Sequence, residues 1–273
     1  MSLNRLVLTT AGGAQAEVFE HGGHATSWRT PDGVERLFLS ARSSFGEGQA
    51  IRGGVPVIFP QFAGEGRLPK HGFARTRAWH PIPIDHARHK AHLRLEADDA
   101  TLALWPHPFR TDLCLSLEDR SLAITLQVTN TGQAPFTFTG ALHTYLRVTD
   151  IASTRVTGLQ GQAYRDCAAG DDAGRRRTDE RPALGFAGEV DRIYFDTGPI
   201  TLSGGESALT VHAQGFPDVV VWNPGPDKAR HLADLEPGGW RHFVCLEAAA
   251  IGVPITLDPG QQFVGAQTLT VGR

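Results

Sequence analysis

Between residues 91 and 148 the chain is a succession of short segments that alternate apolar and polar residues. AHLRLEA (91–97), residues 112–117, LAITLQV (122–128) and FTFTGALHTYLRV (136–148) follow one another, with Asn130-Thr131-Gly132 as a turn. Period-two alternation gives a strand one buried and one wet face, and such strands in series form an antiparallel meander. The pattern continues on both sides. Residues 3–8, 16–20 and 24–28 read as short strands, and Asp32-Gly33 reads as a hairpin turn into a strand at 34–39. Strand-like runs resume at 193–195, 208–212, 219–222, 243–248, 255–257 and 263–271. Residues 79–84 carry Pro81 and Pro83, which confines them to a sheet edge. No segment shows a long helical period with caps, no internal repeat is visible, and no Gly/Ser- or Pro-rich linker interrupts the chain. The expectation is an all-β fold: a large antiparallel β-sandwich, one domain over 1–273, with too many strands for a small barrel.

Composition narrows the function. Charged residues make up 20% and the net charge is −3, so there is no basic excess for a nucleic-acid partner. No apolar run approaches the length of a membrane span, and the N-terminus lacks the apolar core of a signal peptide. Cys114, Cys167 and Cys245 are odd in number and widely spaced, which fits reduced thiols in the cytoplasm and neither a disulfide framework nor a CxxC metal site. The polar segment 163–174 and Arg175-Arg176-Arg177 read as an exposed loop, with a phosphate site as the weaker alternative.

IRGGVPVIFPQFAGEGRLPKHGFAR (51–75) breaks the alternating pattern. Arg52 precedes Gly53-Gly54, a pair that permits positive φ and close backbone approach. Residues 55–59 form a short apolar plug, read as a buried strand or extended core segment. A glycine-bearing loop then leads to His71, Gly72 and Arg75. Two arginines and a histidine are thus offered on Gly/Pro-shaped backbone. Arginine suits bidentate recognition of phosphate or carboxylate. The plain alternative is a wide loop with solvated arginines and a structural histidine.

Two further residues violate the pattern. Of 12 histidines, His86, His89 and His92 sit in polar surroundings and read as surface. His143 lies inside the apolar run 141–148, where alternation puts it on one face with Ala141 and Tyr145, opposite Leu142 and Leu146. Glu247 ends the apolar run 243–246, where a carboxylate is costly unless partnered. A histidine in such a strand is most often a satisfied core residue. One proton donor and one acceptor misplaced in this way nevertheless mark a candidate acid/base pair. Asp191 and Arg192 are a third polar intrusion, which a turn explains nearly as well. Metal-ligand spacings such as HxH or HExxH, the GxSxG elbow, the P-loop and the dinucleotide fingerprint are all lacking.

The segments IRGGVPVIFPQF (51–62), LPKHGFAR (68–75), ALHTYLRV (141–148), VDRIYFD (190–196), VVWNP (220–224) and VCLE (244–247), in that order, resemble the hexose-6-phosphate mutarotases of the aldose 1-epimerase superfamily. The resemblance implies a galactose-mutarotase-like supersandwich. It also implies Glu247 as catalytic base, His143 as acid, His71 and Asp191 as sugar ligands, and Arg52 and Arg75 as phosphate ligands. Two departures stand out: Lys70 where many relatives have glutamine, and Ala248-Ala249 where proline or glycine is usual. The implied reaction removes the C1 hydroxyl proton, protonates the ring oxygen, rotates the C1–C2 bond of the open aldehyde and closes the ring. It calls for no metal, cofactor or covalent nucleophile, and the implied partner is a small sugar phosphate. Needing one acid and one base, it predicts a bell-shaped pH profile, rising as the carboxylate ionises and falling as the histidine loses its proton. A mutarotase of unphosphorylated aldoses, a non-catalytic sugar-binding sandwich, and a glycosidase or lyase remain alternatives; the last needs a second acid that the sequence does not reveal.

Overall fold

The computed structural model describes residues 3–84, 88–170, 175–205 and 207–272; His86 lies outside them. The alternating runs become strands of three antiparallel sheets. A small sheet holds β1 (Arg5–Thr9), β2 (Gln15–Phe19) and β3 (His24–Arg29) in sequence order. One large sheet has the order β13 (Arg176–Thr178), β12 (Ala163–Asp166), β14 (Val190–Phe195), β17 (Asp218–Asn223), β18 (Phe243–Leu257), β9 (Phe136–Leu142) and β4 (Val57–Ile58), with β10 (Tyr145–Arg147) also on β18. The other runs β11 (Arg155–Thr157), β15 (Ile200–Ser203), β16 (Leu209–Gln214), β19 (Gln262–Val271), β8 (Ser121–Asn130), β7 (Phe109–Leu117), β6 (Lys90–Glu96) and β5 (His80–Pro81). β5 is the edge strand that its prolines demand.

The two large sheets face each other across one apolar cluster. Leu93, Leu113, Ile124, Leu126 and Leu269 come from one sheet, and Leu142, Leu146, Val219, Val221, Val244 and Leu246 from the other. Each such side chain contributes roughly 1.5–3 kcal/mol on burial, so this interior holds the sandwich together. The alternate residues of the second set of strands point the opposite way and form a separate cluster: Ala141, Tyr145, Ile193, Val220, Trp222, Cys245 and Ala249. This second face, turned away from the sandwich core, carries His143 and Glu247.

Several segments depart from the sequence reading. The run 136–148 is two strands, β9 and β10, parted at His143-Thr144. There His143 N–H donates to Pro56 O (3.0 Å) and Tyr145 N–H to Gly54 O (2.9 Å), so the 51–75 segment replaces a ladder neighbour. Residues 243–248 and 255–257 belong to one strand, β18. Its register against β9 shifts between Ala250 and Ile255, where Asp218 Oδ2 accepts the backbone N–H groups of Ile251 and Gly252, both at 2.7 Å. Residues 34–39 make single bridges at Glu35, Leu37 and Leu39 rather than a hairpin strand. The triple arginine is no loop: Arg176–Thr178 is an edge strand paired with β12, and Arg176 lies 4.3 Å over the Phe195 ring. Asp191 and Arg192 lie within β14, which removes the turn explanation. The polar stretch between Trp222 and Phe243 contains a short helix, α2 (Gly225–Ala229); an earlier one, α1 (Asp99–Leu104), is closed by a reciprocal Asp98–Thr101 capping box.

Candidate active site

A cavity of about 250 Å3 opens on the second face of the β18 sheet. Arg52, His71, Arg75, His143, Asp191 and Glu247 all line it, so the structure brings together every candidate that the sequence singled out. The register explains part of this. Leu142 pairs with Ala248 and Tyr145 with Cys245, so His143 stands directly across from Glu247 although the ladder is interrupted there. Glu247 pairs with Val220, and Trp222 with Asp191, which carries the same face across β17 to β14.

The other three come from the 51–75 segment. Gly53 has φ 110° and Gly54 φ 61°. A Cβ on Gly53 would lie 2.3 Å from Phe38 O, and one on Gly54 2.2 Å from Ala25 O. Only glycine lets this backbone lie against its neighbours and turn Arg52 into the cavity. His71 itself has φ 69°, a conformation a bulky residue adopts only when its surroundings impose it. Ala63 N–H donates to His71 Nδ1 at 3.2 Å, which fixes the neutral tautomer with its proton on Nε2.

His143 Nδ1 lies 3.2 Å from Glu247 Oε1, and both residues are buried. The contact is not aligned as a hydrogen bond: His143 Nδ1 and Glu247 Oε2 have no hydrogen-bond partner. Two buried polar atoms without a hydrogen-bond partner are costly to a fold, which marks the pair as functional rather than structural. Burial pushes the Glu247 carboxyl well above the usual carboxylate range, and Asp191 adds to the shift. Burial also drives His143 well below its usual range, aided by His71, Arg75 and Arg52. Both directions favour the neutral forms of the pair. The expected profile starts from an ionised carboxylate and a charged imidazole, forms that burial disfavours for both groups.

Cations gather in the same cavity. Arg52 Nη1 donates to Tyr145 Oη at 2.9 Å, and its Nη2 pairs with Asp234 at 3.0 Å. Arg75 Nη2 donates to Lys70 O at 3.0 Å. The Nε of each arginine is buried and has no hydrogen-bond partner. Lys70 and Lys228 also line the cavity. Burial, then Lys228 and Arg75, lower the Lys70 pKa, with Asp191 pulling the other way. His71 is pushed down to about 3 by burial and then by Arg75, Lys70 and Arg52.

Asp191 sits between the two systems. Burial raises its pKa against the pull of Lys228, 3.9 Å away. Sequence reasoning missed Trp222, Lys228, Glu65 and Cys167, which line the cavity, and Asp234, which braces Arg52. Trp222 was within reach, since it shares alternation parity with Val220 on a strand neighbouring Glu247. Lys228 lies on the short helix α2 and the others on loops, where spacing carries no signal. His143, Cys245 and Glu247 place three possible metal donors within 4.8 Å of one another. A cation held there would have to displace protons that burial keeps on the Cys245 thiol and the Glu247 carboxyl.

The sequence pattern of the aldose 1-epimerase family matches residues 4–270. A Cenchrus ciliaris protein provisionally named glucose-6-phosphate 1-epimerase is 38% identical over 98% of this chain and 84% of its own. An Escherichia coli protein with the same provisional name is 33% identical over 84% of this chain and 77% of its own. The crystal structure of a Salmonella typhimurium protein provisionally described as a mutarotase superposes with a TM-score of 0.85 at 28% identity, covering 95% of this chain and 88% of that one. With its sandwich, its strand register and its sequence in agreement, the chain belongs to the aldose 1-epimerase family.

Proposed function

We propose that the protein interconverts the α and β anomers of a hexose 6-phosphate, glucose 6-phosphate first among them, and that residues 1–273 act as one catalytic unit. The observation that carries this reading is a single cavity lined both by the buried His143–Glu247 pair and by the cations Arg52, Arg75 and Lys70. A mutarotase of free sugar has use for the pair but not for the arginines. The names of the Cenchrus ciliaris and Escherichia coli relatives support the phosphorylated substrate. Three free cysteines fit a reducing, cytoplasmic setting, and no helix among the described residues is long and apolar enough to cross a membrane.

Arg52 and Arg75 hold the phosphate, with Lys70 beside them. The neutral His71 donates Nε2–H to a sugar oxygen, and Asp191 accepts from a hydroxyl. The phosphate dianion offsets the charges of Arg52 and Arg75 that disfavour a cationic His143. Binding thereby moves the shared proton from Glu247 toward His143. Glu247 then takes the C1 hydroxyl proton while His143 protonates the ring oxygen. The bond between C1 and the ring oxygen breaks to give the open aldehyde, the C1–C2 bond rotates, and the exchanged roles close the ring on the other face. General acid–base help of this kind supplies about 10²–10⁴-fold, and the phosphate anchor supplies orientation.

Exchange NMR on glucose 6-phosphate and on glucose, with and without protein, tests the proposal. Faster anomer exchange for the phosphorylated sugar is expected. Equal acceleration of both sugars would favour a plain aldose mutarotase. Wild-type rates in both His143→Ala and Glu247→Gln would leave only a sugar-binding module.

A further inference from the structure

One aromatic residue touches both halves of the site. Tyr145 is buried on β10, next to the break that frees His143 from the ladder. Its backbone is pinned on both sides: its N–H donates to Gly54 O at 2.9 Å, and its carbonyl accepts from Phe38 N–H at 3.0 Å. Its ring lies parallel to the His143 imidazole, with centroids 4.9 Å apart and planes inclined by 9°. Trp222 closes on His143 edge-on at 5.8 Å, and Phe243 backs the Tyr145 ring at 5.1 Å. At its far end the Tyr145 hydroxyl accepts from Arg52 Nη1 at 2.9 Å.

We propose that Tyr145 is a positioning residue that joins the phosphate anchor to the catalytic histidine: its hydroxyl sets the guanidinium of Arg52, and its ring sets the plane of His143. This rests on the hexose-phosphate reading. A buried tyrosine hydroxyl needs a partner, and here the partner is the group that must face an anion. With Nη1 on Tyr145 and Nη2 against Asp234, Arg52 is braced at two of its three nitrogens, and each of these nitrogens keeps a second N–H for an anion in the cavity. A guanidinium fixed in advance loses less freedom on binding. Stacking restrains imidazole rotation about its Cβ–Cγ bond, which keeps Nδ1 turned toward Glu247. Burial keeps the hydroxyl a neutral phenol against the pull of Arg52, so the link is a hydrogen bond between a cation and a neutral acceptor.

The two roles separate by substitution. Tyr145→Phe keeps the ring and removes the hydroxyl. It is expected to raise KM for glucose 6-phosphate about tenfold, the loss of one hydrogen bond to a charged group, with a much smaller change in kcat. Inorganic phosphate, titrated by calorimetry, is expected to bind about tenfold more weakly. Tyr145→Leu removes the ring as well and is expected to lower kcat for glucose 6-phosphate and glucose alike, by tenfold or more. A change of kcat and KM by the same factor in Tyr145→Phe, or unaltered phosphate affinity, would overturn the hydroxyl's role. An unaltered kcat in Tyr145→Leu would overturn the ring's role. Thermal unfolding of each variant is measured alongside. Should Tyr145→Leu not fold, the nitrogen chemical shifts of His143 in Tyr145→Phe and in Tyr145→Trp replace that arm, and shifts identical to wild type in Tyr145→Trp would count against the stacking role. The phosphate titration needs no turnover. A wild-type protein that binds phosphate but leaves anomer exchange unaccelerated would defeat the epimerase reading while still allowing the Tyr145 hydroxyl to be judged.

Discussion

Arg75→Ala is the cleaner probe of the phosphate anchor. Removing Arg52 would also strand Tyr145 and Asp234, whereas the Arg75 guanidinium has one hydrogen bond, to the Lys70 carbonyl. That bond uses one of the guanidinium's N–H groups, so the substitution takes away terminal donors that the fold itself does not use. One charge-assisted hydrogen bond contributes roughly 1.5–3 kcal/mol, and each ~1.4 kcal/mol is a factor of ten. The expected loss in kcat/KM for glucose 6-phosphate is therefore about 10- to 100-fold beyond any loss on glucose. Lys70, on the same side of the cavity, makes up part of the lost charge and favours the lower end of that range. A two-unit charge cannot be replaced by long-range attraction in a chain of net charge −3. Exchange NMR at several concentrations of each sugar gives the two efficiencies directly. If Arg75→Ala lowers both by the same factor, Arg75 is structural and the choice of a phosphorylated substrate falls with it.

The same substitution removes a positive charge that disfavours a cationic His143, so the acid limb of the kcat/KM profile should move to higher pH. In the wild type that limb lies below 6.5, where His143 takes a second proton, and the alkaline limb marks loss of the last proton from Glu247; a profile without limbs would count against a one-proton pair. Glu247→Gln is expected to lower kcat by roughly 10²–10⁴-fold on both sugars with unchanged circular dichroism. His24 is buried and neutral, its Nε2 2.7 Å from Gly53 O, with its pKa pushed down to about 4 by burial. The unfolded chain takes up this proton below 6.5 and the fold does not, so stability should be full above 6.5 and fall by roughly 3 kcal/mol as the pH drops to about 4, a loss that denaturant titrations should find diminished in His24→Gln. Gly53→Ala should destabilise the fold by about 1–3 kcal/mol or more and weaken phosphate binding, both measurable on the purified variant.

What could be read in the sequence was what period two encodes. His143 and Glu247 stood out because each puts a polar group on an otherwise apolar strand, and alternation assigned His143 correctly to the face of Ala141 and Tyr145. The same regularity concealed the break at His143-Thr144, since alternation runs through it without a gap. Strands β11, β12 and β13 are short and rich in polar or arginine residues, so their partners rather than their own pattern make them strands. Lys228 reaches the site from α2 and Asp234 from the loop that follows it, where placement comes from packing. The clustering of Arg52 with Arg75 was visible as spacing; that each would have an Nε without a hydrogen-bond partner needed coordinates.

Strand β18 carries core and chemistry on alternate residues, and this sets where the gene can change length. Deleting one residue between Phe243 and Glu247 would reverse the faces on one side of the cut, setting a carboxylate against the sandwich interior or a leucine against the sugar. Past Ala250 the strand is forgiving. Residues 251–254 already stand against Thr139 alone, Asp218 gathers up two of their amides, and Val253 is exposed. Insertions and deletions in homologous chains should therefore collect between Ile251 and Pro254, and the stretch from Phe243 to Ala250 should keep its length wherever the activity is kept.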